Sequence, residues 1–110
     1  MEFSRVYIVT TTTQDHIEAI LNAIASVGGG VIGHYTHCAF THNGIGRFKP
    51  LEQANPRFGE KGEIHTFDEW RIETFCERAV AKSVIDAIKA VHPYDQPVIY
   101  MMPLLDEDQL

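Results

Sequence analysis

Four stretches of the chain are rich in β-branched and aromatic residues, and two carry apolar residues at helical spacing. Arg5–Thr11, RVYIVTT, reads as a strand. Thr12 stands three residues before Asp15, an arrangement like a capping box at a helix start. Ile17, Ile20, Leu21 and Ile24 then form one apolar stripe, which predicts an amphipathic helix. The glycines at 28–30 stop it, because glycine accepts the left-handed backbone that ends helices. Val31–His42 reads as a second strand and residues 66–76, TFDEWRIETFC, as a third. Val84, Ile85, Ile88 and Val91 recur at helical spacing, with Lys82, Ser83, Asp86 and Lys89 on the opposite face. HPYDQP, 92–97, breaks that helix. Pro97–Met102 is the last strand, its proline at the first position, where a missing N–H costs least. Residues 43–63 carry four glycines and two prolines and predict a long loop, functional or mobile. The tail at 105–110 is expected to be loose.

The order β-α-β-β-α-β predicts a single α+β domain with a ferredoxin-like sandwich fold. Two helices cover only one face of such a sheet, and an open face should alternate with polar residues. The first strand is instead apolar on both sides at Val6, Tyr7, Ile8 and Val9, and so is the last at Val98–Met102. The second face is therefore expected to pack against another copy of the chain, as in a homo-trimer.

Charge narrows the partners. The net charge of -6 and pI near 5.4, without a basic cluster, make nucleic acid and anionic membranes poor partners. The N-terminus has no charged segment followed by an apolar one, so no signal peptide is expected. No apolar run approaches the roughly 20 residues of a membrane span. Two cysteines do not make a disulfide framework, which suits a reduced, cytoplasmic protein.

GGGVIGHYTHCAF, GIGRFKPLEQANPRFGE, WRIET and HPYDQP together resemble the PII-like and CutA-like proteins. More closely, they are similar to the small domain inserted in YqfO-type, Nif-three-like dinuclear-metal-centre proteins, here read as standing alone. HPYDQP is close to the HPYE-x-P form of CutA proteins. The resemblance covers Arg5 to Leu104. It implies a ferredoxin-like subunit in a trimer or similar ring, with the long loop in the place of the PII effector-binding loop. The two metals of the larger family sit in a separate domain, so their ligands have no counterpart in these residues.

GHYTHCAFTH, 33–42, places His34, His37, Cys38 and His42 close together in sequence. Side chains of a strand alternate faces and each residue advances about 3.3 Å. His37 and Cys38 then point opposite ways, and His34 and Cys38 lie about 13 Å apart. Zinc holds its donors at roughly 2.0–2.3 Å, so no pair here chelates one ion on a regular strand. A hairpin closing near His42 and Thr66 sets His37 opposite Arg71, with Glu69 and Glu73 diagonal to it. Trp70, Ile72 and Thr74 then face the helices, and the charged row faces the neighbouring subunit. That row is either a small-ligand or divalent-metal site at the subunit boundary or an inter-subunit ion-pair network. The same register separates Cys38 and Cys76 by roughly 20 Å, too far for a disulfide.

Arg47 and Lys49 beside Gly44 and Gly46 suit an anion, although the stretch is neither a P-loop nor a dinucleotide fingerprint. The alternative is a turn-rich excursion packing through Phe48, Leu51 and Phe58. Tyr94 can bury its ring and place its hydroxyl on a partner. His92 is a metal-ligand candidate or part of a structural corner. The ligand-binding candidates are thus His37, Glu69, Arg71, Glu73, Arg47 and Tyr94, and the metal candidates His37, Glu73 and His92. No nucleophile stands beside a base, so no catalytic residue is assigned. Three functions follow: a non-enzymatic oligomeric domain binding a small ligand or divalent metal at subunit boundaries, an interaction module docking through 43–63, or a small metal-dependent hydrolase.

Overall fold

The computed structural model describes residues 2–110. Strands β1 (Arg5–Thr12), β2 (Phe40–Phe48), β3 (His65–Glu77) and β4 (Ile99–Leu104) form one antiparallel sheet in the order β2-β3-β1-β4. Helices α1 (Ile17–Ser26) and α2 (Ala81–Val91) pack together on one face. This is the ferredoxin-like arrangement expected from the sequence.

β1 is central because, beyond Arg5, its side chains are apolar, tyrosine or threonine on both faces. It pairs with β3 through Ile8↔Thr74 and with β4 through Ile8↔Met101. The helix-facing core joins Val6, Ile8, Ile72 and Cys76 of the sheet to Ile20, Ile24, Val84 and Ile88 of the helices. Those helical residues are the apolar stripes, and their burial, not capping, fixes the helices: neither N-cap side chain makes a capping hydrogen bond. Thr12 belongs to β1 rather than to a capping box. Thr13 takes the local role instead, its Oγ1 donating to Asp15 Oδ1 at 2.6 Å. α1 ends as expected, with Gly28 at φ 90 and the Gly29 N–H donating to Ile24 O.

Several boundaries differ from the sequence reading: the last strand starts at Ile99 rather than Pro97 and runs to Leu104, and three further segments depart from it. Residues 31–39 are not strand. Gly30, Gly33 and His37 all have positive φ, and the segment turns on itself through Ile32 and Tyr35 before β2 starts at Phe40. Glycines 44 and 46 lie inside β2, so the excursion runs from 49 to 64 instead of 43 to 63. The tail is pinned, not loose. Asp106 accepts from Ser4 Oγ at 2.6 Å and Arg5 Nε at 2.8 Å, and opens a short turn closed by Gln109. Among the described residues no helix is long and apolar enough to cross a membrane.

Candidate functional site

The pairing of β2 with β3 decides the site. Arg71 pairs with His42, Glu73 with Phe40 and Glu69 with Gly44. Directly opposed residues share a face, so His42, Arg71, Glu69 and Glu73 all lie on the sheet face away from the helices. The charged row is on the face expected, but its histidine is His42. His37 does not face Arg71. It sits in the turn before β2, at φ 60, with Nε2 3.2 Å from Asn22 Oδ1 of α1. The expected register failed because it assumed that β2 ends at His42, where the strand in fact is just beginning.

Glu73 is the most heavily engaged carboxylate of the row. Tyr7 of β1 donates its hydroxyl to Oε1. His42 Nε2 lies 3.1 Å and Arg71 Nε 3.7 Å from Oε2. Arg71 and the Tyr7 hydroxyl thus offset the half-buried carboxylate charge within the chain. Glu69 accepts from the Tyr94 hydroxyl at 2.9 Å. Burial, helped by this bond to a carboxylate, pushes the Tyr94 phenol well above its usual range, so it is a neutral donor.

Gly46 makes room for that carboxylate. A methyl carbon built there would lie 2.3 Å from Glu69 Oε1 and 2.8 Å from Phe67 Cε1. The glycine that reads as a turn signal is thus a strand residue over which two β3 side chains lean. Gly44 and Gly46 are accordingly not a turn whose successive N–H groups converge on an anion.

Beside Glu69, the 49–64 excursion folds over the end of the open face. Phe48, Phe58 and Phe67 meet edge to face, with centroids 5.4 Å apart for Phe48–Phe58 and 4.9 Å for Phe58–Phe67. Phe48 and Phe58 therefore pack within their own chain, while Leu51 stays exposed. These rings and Tyr94 wall a cavity of about 260 Å³, which Arg47, Arg57, Asp95, Thr11 and Val98 also line. The cavity is the feature that sequence reading missed. Its one signal is the spacing of Phe48, Phe58 and Phe67 about a Pro/Gly-rich segment.

His92 holds the corner together. Its Nδ1 accepts from the Tyr94 N–H at 3.2 Å, so the ring proton sits on Nε2, which donates to Thr11 O at 2.8 Å. Burial lowers its pKa, which keeps it neutral. With both nitrogens occupied, His92 is a structural residue in this arrangement. His37, Glu73 and His92 are not brought together. Among the described residues no three His, Cys, Asp or Glu side chains lie close enough to share a metal ion. Cys38 and Cys76 are free thiols, the latter buried, and burial raises its pKa away from reactivity.

No protein-family model matches the chain. It is 41% identical over 91 residues to a GTP cyclohydrolase 1 type 2 homolog of Bacillus subtilis, an alignment covering 83% of this chain and 24% of that protein. A Bacillus cereus protein related to NIF3 superposes with a TM-score of 0.82 at 30% identity, over 94% of this chain and 26% of the other. The divalent ion tolerance protein CutA1 of Ehrlichia chaffeensis gives 0.70 at 20% identity, over 96% of this chain and 86% of its own. The chain is a CutA-like domain related to the NIF3 proteins. It spans about a quarter of the length of the curated relatives it matches. The CutA likeness confirms the fold.

Proposed function

We propose that this CutA-like domain is a non-catalytic, self-assembling unit that binds a small ligand where copies meet. The open face of the sheet carries the reading. Phe40, Tyr100 and Met102 are 64%, 61% and 45% exposed there, alongside half-buried Glu69 and Glu73. Apolar side chains beside already paired charges suit a protein surface better than water. Glu69, Arg71, Glu73, His42 and Tyr94 are then the boundary residues, while Arg47 stands on the edge strand with its side chain on the other face. A divalent cation fits this reading with donors from more than one copy. The unlinked thiols suit a reducing cytoplasm. The activity in the relatives' name belongs to proteins of about four times the aligned length.

Native mass spectrometry of untagged protein tests the proposal. The expected result is an oligomer, dissociated by Tyr100→Asp with Met102→Asp. A monomeric wild-type protein would overturn it. A second reading, docking of another protein on the 49–64 excursion, draws on Ile45, Leu51 and Ile64, each more than half exposed. Binding to a NIF3-related protein that survives Leu51→Asp with Ile64→Asp would remove that reading.

A further inference from the structure

We propose that the cavity beneath the 49–64 excursion binds a small organic amine. Its volume, about 260 Å³, lies just below the roughly 300 Å³ at which small-molecule clefts begin. The occupant is therefore small, on the scale of one ring with a short side chain.

The cavity is preformed. Edge-to-face contacts fix Phe48, Phe58 and Phe67 against one another, and Tyr94 closes the group. The covering segment is tied down at both ends and in the middle. Gly62 N–H donates to Pro50 O at 2.7 Å, and Asn55 N–H donates to Asp95 Oδ2 at 3.0 Å. Pro50 and Pro56 further restrict its backbone.

The polar lining selects the ligand's charge. Glu69 offers two oxygens, of which Oε2 takes the Tyr94 hydroxyl. Oε1 rests over Gly46 with no hydrogen bond from the described residues. Asp95 is a second carboxylate at the wall, partly used by Asn55. Against these acids stand two arginines that also line the cavity, and the charge of Arg57 is felt at Tyr94. The Arg57 guanidinium lies 3.9 Å from Asp15 Oδ2, and strand alternation turns Arg47 to the face opposite Phe48. The Thr11 carbonyl already accepts from His92. What remains is a carboxylate acceptor among aromatic rings. An ammonium group satisfies both, through a charge-assisted hydrogen bond and cation–π attraction. A carboxylate ligand would meet Glu69 and be repelled. The inference rests on the ligand-binding half of the proposed function but not on assembly, since one chain supplies every wall.

The test uses the nitrogen-15-labelled chain titrated with 2-phenylethylamine and, separately, with phenylacetate, which has a similar size and opposite charge. The amine should shift the amides of Phe58, Gly59 and Tyr94 saturably, with phenylacetate at least tenfold weaker. Glu69→Gln should cost the amine at least tenfold and narrow the preference, with the amides of the helix-sheet core unchanged. Phe58→Ala should weaken both probes. Phenylacetate binding as tightly as the amine, or neither probe shifting those amides, would overturn the inference. Amine binding by a monomer would uphold it while removing the assembly reading.

Discussion

Replacing Gly46 with alanine tests the packing that shapes the site. The added carbon would fall 2.3 Å from Glu69 Oε1 and 2.9 Å from Glu69 Cδ, so the carboxylate must swing away. Swinging breaks the 2.9 Å bond from Tyr94. A hydrogen bond to a charged group contributes about 1.5–3 kcal/mol, and the half-buried setting of Glu69 favours the lower end. Phe67 Cε1, at 2.8 Å from the new carbon, must also shift within a packed ring cluster. Alanine stabilises by about 0.4–1 kcal/mol by restricting the unfolded chain. The net expectation is a loss of roughly 1 kcal/mol, or about 4–8 °C in Tm for a domain near this size. Gly44 supplies the control. It lies two residues away on the same strand and face, and its added carbon meets nothing nearer than Glu69 O at 3.7 Å. Gly44→Ala should therefore stabilise by about 0.4–1 kcal/mol. Urea unfolding at one fixed protein concentration, chosen because assembly contributes to apparent stability, measures both. In a Glu69→Ala background most of the Gly46→Ala penalty should vanish, leaving the Phe67 contact. Equal effects of the two glycine substitutions would refute the packing argument.

Other expectations follow from the same geometry. Ile88→Ala empties the centre of the helix-sheet core and should cost about 2–5 kcal/mol in denaturant unfolding. Thr74→Val removes the 2.7 Å bond to Cys38 O that anchors the turn before β2, with an expected loss of about 1 kcal/mol and faster amide exchange across 31–39. His37→Gly relieves a left-handed backbone while losing two exposed contacts, to Asn22 and Thr36, so stability should stay level or rise by up to about 1 kcal/mol. His92 titrates below its ordinary value of 6.5 in the folded chain, because burial disfavours its charge. The unfolded chain then binds the proton more readily. Its contribution is full above about pH 6.5 and is lost as the pH falls through the folded pKa. His92→Gln should flatten that part of a stability-pH curve, measured by urea midpoints at several pH values.

The hydrophobic pattern by itself determined the element types, their order and the helix-facing core. Periods of two and of three to four residues report directly which side chains are buried, and Ile8, Ile20, Ile72 and Ile88 occupy the core that their spacing implied. Alternation along β3 also placed Glu69, Arg71 and Glu73 on one face before any partner was known. The partner was beyond the pattern's reach. Which residue of β2 lies opposite Arg71 depends on where the strand starts, and the start depends on turns at Gly30, Gly33 and His37 closed by contacts to Phe75 and Asn22, distant in sequence. Only the tertiary structure could exchange His37 for His42. Gly44 and Gly46 carry the same lesson in reverse. Local preference made them loop residues, while Phe67 and Glu69 leaning across the neighbouring strand made them strand residues. The cavity and its carboxylate exist because those distant choices coincide, and a one-dimensional pattern records no such coincidence.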